Sequence, residues 1–393
     1  MSDGAASSLL VRPALPADLP GWRPLWDGYN AFYGRHGSTA LPEAITAATW
    51  QRFFDPAEPM GALVADGFYA SEAIGRGRYP FGTAPRRLWA QLEATLPDGR
   101  RVLVGTDMAW RSAQAPVLFS EIYHGETHDA RLEPPGWSSP AFDDSGWDAV
   151  WPAPVPACAL QRQDSPPIRV TLELPPRRIV RLLDGDHVVD FGQNFAGVCR
   201  IRVRGEAGRT VTLRHAEVLA DDGSVDMRNL RAARCTDRYT LRGDPAGEVW
   251  SPRFTYHGFR YVQLAGWPGE LQAGDITGLV MHSDLPVTGH FSSTQPVLQG
   301  LWHSTLWSQR SNFVGLPTDC PQRDERLGWT GDAQIFWPTA AFNMDVRGFT
   351  RRFLADLRAS QRADGAYADT NPPALPAYGA HGWSDAGVVL PHT

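Results

Sequence analysis

Between Pro317 and Asp332 the chain reads PTDCPQRDERLGWTGD. This stretch holds Asp319, Asp324, Glu325 and Asp332, with Arg323, Arg326 and Trp329 among them. Pro317, Pro321, Gly328 and Gly331 keep most of it out of regular helix. A loop this rich in ionisable groups can bring several of them to one cavity. Carboxylates beside Arg and Trp are the parts needed to cleave a glycosidic bond. One carboxyl must stay protonated to give its proton to the leaving oxygen, and burial against an aromatic ring raises its pKa. The same residues also read as a surface loop of Arg–Asp ion pairs, and composition alone leaves both readings open.

Helices must hold this loop. Over residues 291–393, Ser293 or Thr294 is expected to cap a helix carrying Val297, Leu298, Leu301, Trp302 and Leu306. After the loop, AQIFWPTAAFN and VRGFTRRFLADLRASQ are two more helical patterns, and HGWSDAGVVLPHT is an apolar last segment. The preceding block, 168–290, is all-β. The runs IRVTLELP, HVVDFG, VCRIRVRG, RTVTLRHAEVL, DRYTLRG and FRYVQLAG are separated by Gly, Asp and Pro turns at sandwich spacing. Residues 158–167 form a linker with two prolines. Residues 67–157 are also all-β, with a hairpin signal at Asp98-Gly99. Residues 9–66 are α/β: the strand LLVRPA, then a helix capped by Asp18 with Leu19, Trp22, Trp26, Tyr29 and Tyr33 on one face. A second helix in LPEAITAATWQRFFD and a strand and turn in GALVADG follow. No internal repeat or low-complexity tract is present.

Composition removes other chemistries. The chain has 393 residues and a net charge of −6, which argues against a nucleic-acid partner. All 37 cationic residues are Arg, so Schiff-base, PLP and P-loop lysine chemistry is excluded for this sequence. Cys158, Cys199, Cys235 and Cys320 show no C-x-x-C spacing and read as buried free thiols rather than a zinc or disulfide framework. The N-terminal residues do not pair a basic region with an apolar run. No apolar stretch reaches the ~18 residues a membrane span needs. The expectation is a cytoplasmic protein with no membrane partner.

The string PTDCPQRDERLGWTGDAQ closely resembles the signature of bacterial α-L-rhamnosidases, glycoside hydrolase family 78. The resemblance extends over residues 67–393. FSEIYHGETHDARLEPPGW and FDDSGWDAV resemble that family's N-terminal β-sandwich. VVDFGQNFAGVCRIRV, LRHAEVL and FTYHGFRYVQLAG resemble its second, concanavalin-like sandwich. HSDLPVTGHFSSTQPVLQGLW and WSQRSNF resemble the start of its (α/α)6 six-hairpin barrel. The resemblance implies an inverting glycosidase acting on rhamnose-containing glycosides. It casts Glu325 as the general acid and has Asp319 and Arg323 hydrogen-bonding the sugar hydroxyls. Trp329 packs on the apolar sugar face, Trp383 is a second pocket tryptophan, and Asp385 beside it is a further substrate-binding candidate. Asp324 is read as an ion-pair residue pointing away from Glu325, and His124 and Glu126 as turn and packing residues. No cofactor is implied and no metal ligand is placed.

Two segments depart from that family. VRPALPADLPGWRPLWDGYNAFY, TAATWQRFFDPAEP and ALVAD resemble the opening of a GCN5-related N-acetyltransferase. The string Glu72–Gly77 stands where an acetyl-CoA pyrophosphate loop would be sought, but it starts with Glu and leads into YPFG. Residues 9–66 are therefore read as a fragment without its cofactor site. At the other end, three helices and the start of a fourth stand against the twelve of an (α/α)6 barrel. The expected fold is thus multidomain: a short α/β fragment (9–66), an incomplete β-sandwich (67–157), a second β-sandwich (168–290) and a truncated all-α barrel (291–393). The general base is expected outside these residues. Rival functions are a non-catalytic carbohydrate-binding or remnant protein and an acyl-CoA N-acetyltransferase.

Overall fold

The computed structural model describes residues 61–70, 86–95, 101–139, 142–154, 163 and 165–393, and isolated positions 19, 20, 23, 24, 27, 43, 46 and 47. Those isolated positions are all helical and fall within the two helices expected there. The remainder of the acetyltransferase-like reading, the Asp98-Gly99 turn, Cys158 and most of the 158–167 linker lie outside the described residues. GALVADG differs from expectation: residues 61–66 are irregular and 67–70 form a turn. Its short apolar run pairs with no strand among the described residues, and Asp66 is drawn into an ion pair with Arg86 at 2.6 Å.

The chain divides into two compact units. One comprises 1–64, 87–114 and 134–156; the other comprises 65–86, 115–133 and 157–393. Strands of three or more residues are numbered here in chain order. In the first unit, β1 (Gln91–Thr95) pairs antiparallel with β2 (Arg101–Gly105), which is the hairpin expected around Asp98-Gly99. Arg111–Ser112 pairs with Asp148–Ala149.

The second unit is built on a ten-stranded sheet. Its members are β3 (Val117–Glu121), β4 (Gly125–Asp129), β5 (Ile168–Leu174), β6 (Arg178–Arg181), β7 (His187–Val203), β8 (Thr210–Ala216), β9 (Thr236–Thr240), β10 (Glu248–Trp250), β11 (His257–Ala265) and β12 (Ile276–Ser283). The main path runs β3-β4-β9-β8-β11-β7-β12-β5, with β6 and β10 also on β7. Two features depart from the sequence expectation. The runs HVVDFG and VCRIRVRG are one 17-residue strand, β7, and the irregularity is taken up opposite it, between Phe259 and Tyr261 of β11. The β3–β4 hairpin, expected to sit with the rest of 67–157, pairs parallel with β9 instead. Gly125 at φ +109° permits this: a Cβ there would collide with the Thr236 carbonyl oxygen.

Alternating apolar residues from β7, β8, β11 and β12 make the sheet core: Val189, Phe195, Ile201, Leu213, Val262 and Val280. The rings of Phe195 and Phe259 lie 4.4 Å apart within it. Beneath them sits a polar cluster. Asp237 Oδ2 is 3.0 Å from His257 Nε2, and His215 stacks on His257 with ring centroids 4.2 Å apart; all three side chains are fully buried. Burial works against charge on both imidazoles. For His257 the charge and hydrogen bond of Asp237 outweigh it and raise the pKa to about 9. For His215, burial and then the His257 charge lower it to about 3. Asp237 thus favours charge on His257, and the His257 charge in turn disfavours it on His215.

Three helices of ten or more residues follow: α1 (Pro296–Asn312), α2 (Thr330–Asn343) and α3 (Arg347–Ser360). Helix α1 starts later than the expected Ser293 or Thr294 cap. Gln295 is its N-cap, and Pro296 takes the first turn, where a missing N–H costs nothing. Ser293 instead accepts from the Gln295 N–H at 3.1 Å. The expected apolar face of α1 is only partly covered: Leu306 is buried, whereas Val297 is 81% exposed and Leu301 64%. Phe349, Phe353 and Leu357 fall on one face of α3 and pack with Trp337 and Phe313. HGWSDAGVVLPHT forms a turn and the short helix Ala386–Val389.

Candidate active site

The loop between α1 and α2 enters through a two-residue bridge, Phe313–Val314 on Leu316–Pro317. It is then pinned by its own side chains. Asp319 Oδ1 accepts from the Leu327 N–H at 2.8 Å, closing the loop across eight residues. Gly328 lies against the Asn371 carbonyl so closely that a Cβ would collide with it. Arg326, fully buried at φ +46°, is the fastener. Its Nη1 donates to the carbonyls of Ile122 (2.6 Å) and Tyr256 (2.7 Å), its Nη2 to that of Gln322 (3.1 Å) and its Nε to that of Arg323 (3.2 Å). Its guanidinium lies 5.0 Å from the Tyr256 ring centroid and 5.5 Å from that of Tyr123. The Tyr123 hydroxyl donates to the backbone carbonyl of Glu325 at 2.9 Å.

This scaffold presents Glu325, 5% exposed, to three donors. Arg231 Nη2 and Arg323 Nε (3.0 Å) both donate to Oε2, and the Trp329 indole N–H donates to Oε1 at 3.1 Å. Arg323 Nη2 also meets Asp319 Oδ2 at 3.3 Å. The Asp319 carboxyl is pushed up, chiefly by burial and further by the Glu325 charge. The edge-on rings of Trp329 and Trp383 have centroids 6.5 Å apart. The structure therefore brings together Asp319, Arg323, Glu325, Trp329 and Trp383.

Asp385 is not joined to the others by any hydrogen bond among the described residues. It is exposed, and Oδ2 accepts from the Gly382 N–H at 2.9 Å, closing its own turn. Asp324 is an ion-pair residue, but it does not point wholly away from Glu325. Arg231 Nε is 3.5 Å from Asp324 Oδ1 while Nη2 holds Glu325. Glu126 packs as expected, accepting from the Arg253 (3.0 Å) and Phe254 (3.3 Å) N–H groups, and burial raises its pKa to about 7.

Arg231, Tyr123 and Tyr256 carried no mark in the sequence. Arg231 is 94 residues from Glu325 and follows the single turn Arg228–Leu230. Two groups of side chains have ligand atoms close enough to share a metal ion. In the fully buried His215–Asp237–His257 group, Asp237 Oδ2 lies 3.0 Å from His257 Nε2 and 3.7 Å from His215 Nε2. The Asp319–Cys320–Glu325 group has the Arg231 and Arg323 guanidiniums against its carboxylates, and they repel a cation.

A buried carboxyl set among a second carboxyl, guanidiniums and two indoles, on a loop between helices, is the site type of a glycoside hydrolase. Three family models match in chain order: the alpha-L-rhamnosidase N-terminal domain over residues 55–172, the bacterial alpha-L-rhamnosidase concanavalin-like domain over 180–282, and the bacterial alpha-L-rhamnosidase 6 hairpin glycosidase domain over 286–393. The chain belongs to the bacterial α-L-rhamnosidase family. An alpha-L-rhamnosidase of Streptomyces avermitilis is 45% identical over 338 residues, covering 85% of this chain and 32% of that protein. One from Alteromonas sp. (strain LOR) is 36% identical over 393 residues, covering 98% of this chain and 40% of the relative. The crystal structure of the Streptomyces avermitilis protein complexed with L-rhamnose matches with a TM-score of 0.77 at 44% identity, covering 83% of this chain and 32% of that one. The native Aspergillus terreus enzyme gives 0.76 at 40% identity, covering 84% and 38%. The chain thus spans between 32% and 40% of the length of these relatives. The first match begins at residue 55, inside the segment read as acetyltransferase-like.

Proposed function

We propose that the protein hydrolyses terminal α-L-rhamnosides with inversion. Glu325 protonates the glycosidic oxygen as its bond to the anomeric carbon breaks. A water, held on the opposite face by a second carboxylate, adds to that carbon. Asp319 and Arg323 hydrogen-bond the rhamnose hydroxyls, and Trp329 and Trp383 pack on the apolar face and methyl group of the sugar. One observation carries this reading: the Trp329 indole and the Arg323 guanidinium, the latter also bonded to Asp319, converge on the buried Glu325 carboxyl. The relative crystallised with L-rhamnose supports the choice of sugar. A cytoplasmic setting belongs to the same reading. Cys199, Cys235 and Cys320 are buried free thiols, which suits a reducing compartment. No helix among the described residues is long and apolar enough to cross a membrane.

Stereochemistry is the test of the mechanism. Residues 55–393, joined to the remaining length of a rhamnosidase relative, are expected to release β-L-rhamnose first from an aryl α-L-rhamnoside, as followed by proton NMR. Release of the α-anomer first contradicts inversion.

A further inference from the structure

Glu325 is tied three times to the sheet and its turns. Two ties hold its backbone: the Tyr123 hydroxyl donates to the Glu325 carbonyl, and the next residue, Arg326, donates to the carbonyls of Ile122 and Tyr256. The third tie, from Arg231, reaches the carboxylate itself. The other two donors to that carboxylate, Arg323 and Trp329, lie two and four residues from Glu325 along the chain. They move with the loop, so Arg231 alone among the three refers the carboxylate to the sheet.

Arg231 stands on fixed ground. Leu230 before it is fully buried, in a cluster with Ile122, Tyr123 and Leu327. The Arg231 backbone sits at φ +57°, ψ −116°, a conformation that side-chain-bearing residues rarely adopt and that gathers at functional sites. Its hydrogen bond goes to Glu325, and its contact with the adjacent Asp324 is an ion pair at 3.5 Å. We infer that Arg231 is a positioning residue for the acid: with Arg323 it fixes the Glu325 carboxylate so that Oε2 lies on the two guanidiniums and Oε1 on the Trp329 side. This inference rests on Glu325 being the general acid. Two N–H groups take the two lone pairs of Oε2, so the proton to be delivered is carried on Oε1. When that proton passes to the glycosidic oxygen, the oxygen keeps the electron pair of the broken C–O bond. The carboxylate left behind then faces two cations, which stabilise it.

The test needs no turnover and uses the full 393-residue chain. The chain is prepared with isotopically labelled tryptophan and its indole N–H resonances are read by NMR. The Trp329 indole donates to Glu325 Oε1, so its resonance reports where that oxygen lies. Trp329→Phe identifies the resonance by its loss, and Glu325→Ala gives its position without the acceptor. Arg231→Gln is expected to move it at least half-way from the parent position to that of Glu325→Ala. Arg231→Lys restores a cation as a single point donor and is expected to bring it part of the way back. Asp324→Asn separates positioning from packing. It removes the ion pair with Arg231 but keeps the bond to Glu325, and the resonance is expected to stay at the parent position. The Trp337 indole, bonded to Thr350 in the helical core, reports folding. If it moves with Arg231→Gln, Arg231→Lys decides, with a smaller shift in the same direction expected. A Trp329 resonance at the parent position in the folded Arg231 variants overturns the inference, and so does an Asp324→Asn shift as large as that of Arg231→Gln. Failure of Glu325 as the acid shows separately, as the absence of a turnover loss in Glu325→Gln. That result removes the proton delivery and leaves the orientation of the carboxylate standing.

Discussion

Replacing Glu325 by Gln is expected to cut turnover of an alkyl α-L-rhamnoside by about 10²–10⁴-fold, the usual worth of a general acid. The comparison is made in residues 55–393 joined to the remaining length of a rhamnosidase relative. An alkoxide leaves poorly and needs the proton as its bond breaks. A nitrophenolate needs little help, so the loss on nitrophenyl α-L-rhamnoside is expected to be much smaller. Gln keeps the size and one acceptor oxygen but has an NH₂ in place of the other, so it can accept from the Trp329 indole or from the two guanidiniums but not from all three. The side chains assigned to the sugar, Asp319, Arg323, Trp329 and Trp383, are themselves unchanged while proton donation is lost. The leaving-group dependence separates the two: a variant that merely bound sugar poorly would lose activity equally on both substrates. Equal rates of variant and parent on the alkyl substrate contradict the assignment.

Arg326→Met is expected to cost about 3–5 kcal/mol of stability, measured as a lower midpoint of urea unfolding with the same slope. The guanidinium is completely buried and donates to four backbone carbonyls, those of Ile122, Tyr256, Gln322 and Arg323. Met fills the stem but removes the charged donor from all four carbonyls, of which Ile122 keeps the Thr255 hydroxyl and Gln322 the Cys235 thiol, and it keeps a side chain at φ +46°. The ties run from the loop to the β3–β4 hairpin and to the residue before β11, so their loss loosens the backbone that carries Glu325. A midpoint within about 1 kcal/mol of the parent means the carbonyls find other partners and the fastener reading fails.

Much of the candidate site was legible because it is local. Asp319, Arg323, Glu325 and Trp329 lie within eleven positions of one loop, and Pro, Gly and the Asp319–Leu327 bond fold that short span onto itself. Trp383, named through the resemblance, lies edge-on to Trp329, whereas Asp385 spends its carboxylate on its own turn. Contacts made across the fold left no trace. Arg231 comes from the turn before β9 and Tyr123 from a hairpin some two hundred residues earlier, and no periodicity or spacing links them to the loop. The same limit applies to the architecture. Short β-branched and aromatic runs marked β5, β7, β8, β9 and β11, five of the ten strands of the sheet, and left β3, β4, β6, β10 and β12 unmarked; the parallel pairing of β4 with β9 depends on Gly125 meeting Thr236, a match between distant residues. In α1 the apolar spacing marked the helix correctly, yet Val297 and Leu301 stay exposed, because periodicity names a face and not what covers it.

The central claim is that the loop around Asp319, Arg323, Glu325 and Trp329 holds a rhamnosyl unit. Calorimetric titration of L-rhamnose into the 393-residue chain tests it most directly. One binding event per chain is expected. Asp319→Ala is expected to weaken it about tenfold or more, through loss of charge-assisted hydrogen bonds to the sugar. Trp329→Ala is expected to weaken it through loss of the stacking face. No heat of binding from a folded sample, or binding that both substitutions leave unchanged, contradicts the account.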